Sequence, residues 1–197
     1  MRLIILAAGK GSRVRGTNLP KILFGLGNGE TVGSRLIRQA NLPTTIVVGY
    51  MAETVMRAFG NMASFVHNPV WMHTGPVESL ERAAMIFPGP SLVVYGDTVF
   101  TDSDVWKMKG LTGTAGVCVK DWYGPHLSLG RIIDDVSADQ ISDIGFSGIL
   151  NTAIPAHLHG PSLGWAVKGY GYERVFSINI NTDMDLVRAR EWIKSLS

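Results

Sequence analysis

The feature that most constrains the fold is a short apolar run, Leu3–Leu6, that opens directly into Ala7-Ala8-Gly9-Lys10-Gly11-Ser12-Arg13. An uninterrupted apolar run of this length reads as a strand covered on both faces, and such strands belong to parallel sheets flanked by helices. The rest of the chain repeats the arrangement. Helices are expected at Val32–Ala40, Ala52–Phe59, Val77–Phe87, Asp102–Met108 and Met184–Leu196, and strands at Thr44–Val48, Ala63–Val66, Leu92–Tyr95, Thr114–Val119 and Val175–Ile180. Residues 120–150 read as irregular, with strands near Arg131–Asp134 and Ile144–Ile149. This alternation predicts an α/β fold: three layers, Rossmann-like, around a mainly parallel sheet. In such sheets ligands gather beyond the carboxyl ends of the strands, where Gly9–Arg13 and Gly96-Asp97 both fall.

The 197 residues suit a single domain, read as two parts, 1–110 and 111–180, and a closing helix over 181–197. The charged fraction of 17% and the 23 glycines favour a loop-rich globular domain over disorder. A single cysteine, Cys118, rules out an internal disulfide and fits a reducing, cytoplasmic setting. No apolar run approaches the length needed to span a bilayer, so no membrane association is expected.

The formal charge of +2 argues against nucleic acid as a partner, but its distribution is uneven. Arg2, Lys10, Arg13, Arg15 and Lys21 all precede the first acidic residue, Glu30. A basic front end in a nearly neutral chain points to one anionic ligand.

The glycine-rich turn explains where that anion sits. Glycines let backbone N–H groups face outward with no Cβ in the way, and such a nest binds phosphate. The turn is not a P-loop, because no Gly-Lys-Ser/Thr follows four residues after a glycine. It is not the dinucleotide fingerprint either, since Val14 stands where the third glycine belongs. Pro20 stiffens the approach to Lys21 and so helps fix that cation in place. At the end of the Leu92–Tyr95 strand, Gly96-Asp97 adds a carboxylate, which suits either a turn cap or a hard cation bridging a triphosphate.

Leu6-Ala7-Ala8-Gly9-Lys10-Gly11-Ser12-Arg13, followed by Leu19-Pro20-Lys21, resembles the signature loop of the nucleotidyltransferases that activate sugar phosphates and related phosphates. The resemblance implies a GT-A-like nucleotide-diphospho-sugar transferase fold. It also implies transfer of a nucleoside monophosphate from a triphosphate, CTP or UTP being favoured, to a phosphorylated small molecule such as a sugar 1-phosphate or phosphocholine, with release of pyrophosphate. Leu6, Ala7, Ala8, Gly9, Lys10, Gly11 and Ser12 would wrap the triphosphate, with Gly96 beside them. Arg13 and Lys21 would contact its phosphates and stabilise charge in the transition state. Asp97 matches the family's metal-binding aspartate, and Mg2+ is the implied cofactor.

The family's second metal ligand precedes the last helix, where this chain reads Asn179-Ile180-Asn181-Thr182-Asp183-Met184-Asp185. Asn181 takes that position, as in the N-acetylglucosamine-1-phosphate and molybdopterin branches. Asp183 and Asp185 read as first-turn residues favoured by the helix dipole. Asn68-Pro69 with Thr74-Gly75-Pro76-Val77-Glu78-Ser79-Leu80 resembles the segment between base and acceptor in choline-phosphate cytidylyltransferase-like members, which makes Gly75 and Ser79 base contacts. Gly145-Phe146-Ser147-Gly148-Ile149 resembles the acceptor-side strand, with Gly148 against the acceptor. The Glu-Lys-Pro motif of many sugar-phosphate members is missing, and Lys120 or Lys168 are the lysines available to replace it.

Two other readings stay open at this level. Asp102-Ser103-Asp104 and Asp183-Met184-Asp185 suit a nucleotide-sugar-dependent glycosyltransferase, although both sit at expected helix starts, where aspartate caps. A non-catalytic nucleotide-binding regulatory domain would also keep the loop. The five histidines are scattered, and no Ser-His-Asp arrangement or Gly-x-Ser-x-Gly elbow is present. No β-helix repeats follow, so a fused acyltransferase is not expected. The oligomeric state stays open.

Overall fold

β1 (Arg2–Ala7) is the hub, and its burial explains why the rest assembles around it. Leu3 to Leu6 are all buried, with Ile4 and Ile5 at 0% exposure. Burying two such side chains stabilises the fold by roughly 2 kcal/mol each. The computed structural model describes residues 1–14, 18–89, 91–110, 115–121, 124–127, 130–133 and 171–196. The remaining strands are β2 (Thr44–Val48), β3 (Ser64–His67), β4 (Ser91–Tyr95), β5 (Thr98–Phe100), β6 (Ala115–Asp121), β7 (Gly124–Leu127), β8 (Gly130–Ile133) and β9 (Gly171–Asn179).

These strands form one sheet in the order β3-β2-β1-β4-β8-β6-β9-β5, with β7 pairing onto β6. β1 runs parallel to β2 and β4, β2 to β3, and β6 to β9. β8 is antiparallel to both β4 and β6, so β9 points the same way as β4. The carboxyl ends of β1, β4 and β9 therefore share one edge of the sheet. That edge carries Gly9–Arg13, Gly96-Asp97 and Asn181.

Helices α1 (Val32–Ala40), α2 (Ala52–Phe59), α3 (Pro76–Ile86), α4 (Asp102–Gly110) and α5 (Asp183–Ser195) cover both faces. Alternate β1 residues feed opposite cores. Leu3 and Ile5 pack with Val32, Leu36, Val55, Phe59, Val105 and Ile193 on the α1, α2, α4 and α5 side. Ile4 and Leu6 pack with Leu80, Ala83 and Ala84 of α3. The result is the three-layer fold that the sequence predicts.

Local chemistry sets the helix ends. Thr31 accepts a hydrogen bond from the Ser34 N–H while Ser34 Oγ accepts from the Thr31 N–H, and Asn41 closes α1 in the left-handed conformation. At α5, Thr182 Oγ1 accepts from the Asp185 N–H, and Asp185 Oδ2 accepts from the Asn181 and Thr182 N–H groups. Such reciprocal caps satisfy donors that the first turn leaves unpaired. Asp183 and Asp185 are the first-turn residues expected of them.

The expected helices and strands fall within a residue or two of the observed ones, except that β9 starts at Gly171, four residues before the expected Val175, and except for two further differences. Thr98–Phe100 is a strand that three residues could not announce by periodicity; its antiparallel partner β9 makes it one. The segment read as irregular also contains β7, which pairs with β6 from Cys118↔Leu127 to Asp121↔Gly124, while β8 is the strand expected near Arg131–Asp134. Ile144–Ile149 lies outside the described residues. Among the described residues, no helix is long and apolar enough to cross a membrane.

Candidate active site

The loop after β1 wraps one side of a cavity of about 210 Å³. Leu6, Ala7, Ala8, Gly9 and Gly11 line that side, Tyr95, Gly96 and Asp97 the β4 end, and Trp71, Thr74, Gly75, Pro76 and Ser79 the far wall, with Lys21 and Ile22 between. Two glycines are required by geometry. Gly11 has φ +64, and a Cβ there would stand 2.7 Å from Lys21 Cε. A Cβ on Gly96 would stand 2.9 Å from Ala7 Cβ, where the Gly96 N–H already donates to Leu6 O at 2.9 Å. The two loops thus close on each other at backbone level.

The charged centre lies at this junction. Lys21 opens a 3-10 turn behind Pro20, and its side chain is only 9% exposed. Its Nζ donates to Asp97 Oδ2 at 2.8 Å and to Asn181 Oδ1 at 3.2 Å. Arg13, exposed in the loop, donates from Nη2 to the same Asn181 oxygen at 2.7 Å. Four residues singled out by sequence, from three strand ends, therefore meet within hydrogen-bonding distance. Beside them, burial and then the Asp97 carboxylate push the Tyr95 phenol far above its ordinary range, which keeps it protonated.

A hard divalent cation takes oxygen ligands. Asp97 contributes a carboxylate and Asn181 an amide oxygen, and one ammonium already bridges both. The donor set therefore fits magnesium with two protein ligands, leaving the remaining positions to phosphate and water. Among the described residues no group of three or more His, Cys, Asp or Glu could hold a metal.

The far wall is built on Asn68, a fully buried residue to which sequence reasoning gave no role. Its Nδ2 donates to Thr74 Oγ1 at 2.9 Å and to Ser79 Oγ at 3.1 Å, while Oδ1 accepts from the Val70 N–H at 3.2 Å. Ser79 is thereby fixed facing the cavity. Gly75 also lines it, but its N–H donates to Glu78 Oε2 at 2.8 Å, so a ligand meets Gly75 through its bare Cα face or carbonyl. Trp71 was likewise missed; it stacks edge-on against Tyr50, with ring centroids 5.5 Å apart. An asparagine before a proline, and an aromatic in a loop after a strand end, are the local cues, and neither by itself marks a role.

The other basic residues separate. Lys10 sits 5.7 Å over the Tyr50 ring, outside the cavity lining, and exposed Ser12 does not line it either. Arg2 lies at the opposite end of β1, donating to Thr45 Oγ1 at 2.8 Å and covering the Phe87 ring. Asp102 accepts from Arg35, Arg38 and Gln39, and Asp104 caps against Thr101, so Asp102-Ser103-Asp104 serves the start of α4. Arg15, Gly148, Lys168 and Ile149 lie outside the described residues, as does the side chain of Lys120.

The MobA-like NTP transferase domain matches residues 3–121 of this chain. The bifunctional protein GlmU of Streptococcus agalactiae is 30% identical over 155 residues, covering 76% of this chain and 30% of that protein. The GlmU of Neisseria meningitidis is 31% identical over 142 residues. The chain thus spans about 30% of the length of these curated relatives. Among solved structures, a nucleotidyl transferase from Methanothermobacter thermautotroptrophicus superposes with a TM-score of 0.72 at 21% identity, over 100% of this chain and 98% of that one. The CTP:phosphocholine cytidylyltransferase of Streptococcus pneumoniae superposes with a TM-score of 0.62 at 20% identity, over 98% of both chains. At these identities the structural likeness establishes the fold. The family match covers more than half the chain, and the chain belongs to the MobA-like NTP transferase family.

Proposed function

We propose that the chain is a magnesium-dependent nucleotidyltransferase that transfers a nucleoside monophosphate, from CTP or UTP, to a phosphorylated small molecule with release of pyrophosphate. The observation that carries this reading is the meeting of Lys21, Arg13, Asp97 and Asn181 at the mouth of the cavity built by the glycine loop. The acceptor is a phosphate monoester of the sugar 1-phosphate or phosphocholine kind. Its phosphate is already largely dianionic at neutral pH, its second pKa being about 6, so attack on the α-phosphorus needs no general base.

Catalysis is then positioning and charge neutralisation. The turn from Leu6 to Gly11 presents the backbone of a phosphate nest. Arg13 and Lys21 bind the phosphates and offset the negative charge that builds as the bond to pyrophosphate breaks. Asp97 and Asn181 would hold the magnesium, which when bound neutralises the triphosphate and its leaving group. The base enters between Ala8, Gly75 and Ser79, with Trp71 along the wall.

A pyrophosphate-release assay tests the reading, with the four nucleoside triphosphates, magnesium, and a panel of sugar 1-phosphates, phosphocholine and polyol phosphates. Release restricted to one triphosphate–acceptor pair is the expected result. A glycosyltransferase or a regulatory domain would release none, and no release with any pair overturns it.

A further inference from the structure

Lys21 occupies the position between the two oxygens assigned to the metal. Its ammonium is bonded to Asp97 Oδ2 at 2.8 Å and to Asn181 Oδ1 at 3.2 Å, and Arg13 Nη2 takes the same Asn181 oxygen at 2.7 Å. An amide oxygen has two lone-pair sites, so the two cations saturate Asn181. We propose that Lys21 is an internal counter-cation that latches the metal-binding pair shut, so that metal binds only as a triphosphate draws Lys21 and Arg13 away. This rests on the assignment of Asp97 and Asn181 made above.

The physical reason is competition. A cation 2.8 Å from a carboxylate neutralises most of the field that would attract another, and two positive centres cannot share these oxygens at close range. The latch is held in place by its surroundings. Pro20 fixes the approach to Lys21, and the Lys21 aliphatic chain passes 2.7 Å from where a Gly11 Cβ would stand, so it runs along the loop backbone. A triphosphate in the nest offers both Lys21 and Arg13 a denser acceptor than Asp97 and Asn181 do. Moving the two cations onto it leaves a carboxylate and an amide oxygen facing the phosphates. By linkage, whatever the nucleotide adds to metal affinity the metal adds to nucleotide affinity. The latch also keeps metal off the enzyme when no substrate is present.

The test measures Mn2+ alone, by electron paramagnetic resonance of the unbound ion, on the whole chain without nucleotide. Wild type, Lys21→Met, Arg13→Met and the double variant Lys21→Met/Asp97→Asn are compared, with circular dichroism reporting the fold of each. Lys21→Met is expected to bind Mn2+ about tenfold more tightly than wild type. Arg13→Met should show a smaller gain, and the double variant should lose the gain, which places the ion at Asp97. Equal or weaker Mn2+ binding by folded Lys21→Met overturns the latch. If Lys21→Met does not fold, Arg13→Met decides: its side chain is exposed, and no gain there overturns the latch as well. The readout is independent of turnover. If Lys21→Met gains Mn2+ while wild type releases no pyrophosphate with any pair, the latch stands and the proposed reaction falls; if wild type turns over but Lys21→Met gains no Mn2+, the reaction stands and the latch falls.

Discussion

Lys21 and Asp97 lie 76 residues apart in sequence and meet at 2.8 Å, one from the segment after the glycine loop and the other from the end of β4. The contact exists because β1 and β4 are in-register parallel neighbours, Leu6 opposite Tyr95, so their carboxyl ends open side by side. Three strand ends deliver the four groups to one edge, Arg13 and Lys21 both following β1. The fold acts here by topology: no local segment holds both charges.

The first prediction is that Asp97→Ala and Lys21→Ala each lower turnover by about 100- to 1,000-fold, the cost of removing one preorganised charge from a transition state. Far-ultraviolet circular dichroism should be unchanged, since both side chains lie at the sheet edge and outside the two cores. Pyrophosphate release measured on each variant checks this, and full activity in Asp97→Ala removes the metal assignment.

Gly11→Ala separates strain from function. At φ +64 an alanine costs about 1–2 kcal/mol, and its Cβ would collide with the Lys21 side chain. Displacing that cation by an ångström is expected to cost about 100-fold in kcat/KM. Gly27 has φ +88 and open space around it, so Gly27→Ala carries the backbone strain without the collision. Chemical denaturation should show similar losses for both variants, and only Gly11→Ala should lose activity.

A third prediction concerns acid stability. Burial raises the Glu30 pKa, but hydrogen bonds and charge from Arg38, Asn28 and Arg35 outweigh it and leave the carboxyl below its usual 4.5. Hydrogen bonds from Arg38 and Gln39 lower Asp102 below its usual 3.8. A carboxylate whose folded pKa is lowered contributes stability above its unfolded pKa and loses it as pH falls through the folded one. Thermal melts should therefore show wild type more stable than Arg38→Met at neutral pH, with the gap closing below about pH 4. High salt should narrow the gap too, because Arg38 and Asp102 are half exposed. A gap that widens in acid contradicts the pairing.

Much of this was legible in the chain. Leu3–Leu6 running into Gly9 and Gly11 pointed to a buried strand followed by a tight glycine turn, and the fold has both. Arg13, Lys21, Asp97 and Asn181 could be named singly, and the fold brings all four together. Their mutual bonding could not be read, since it depends on strand register between segments far apart. Asn68 escaped for a related reason. Its value lies in three partners, two of them six and eleven residues away, and no local pattern marks a side chain whose role is to orient others. Thr98–Phe100 was hidden by brevity, its strand character coming from β9.

Asn68 supplies the last prediction. Asn68→Ala leaves the Val70 N–H, Thr74 Oγ1 and Ser79 Oγ each short of a partner, the Ser79 hydroxyl among them being buried. Losing hydrogen bonds to buried groups costs about 1–3 kcal/mol, which urea denaturation should register. Ser79, no longer held by the amide, should lose its fixed orientation toward the cavity. The nucleotide KM is therefore expected to rise by about tenfold, while kcat stays within about a factor of three, because Lys21 and Asp97 are held by separate contacts. Steady-state kinetics with the nucleotide varied at saturating acceptor distinguishes the two parameters. A fall in kcat at unchanged KM would mean that this wall serves the reacting phosphates and not the base, and would move Ser79 out of the base site.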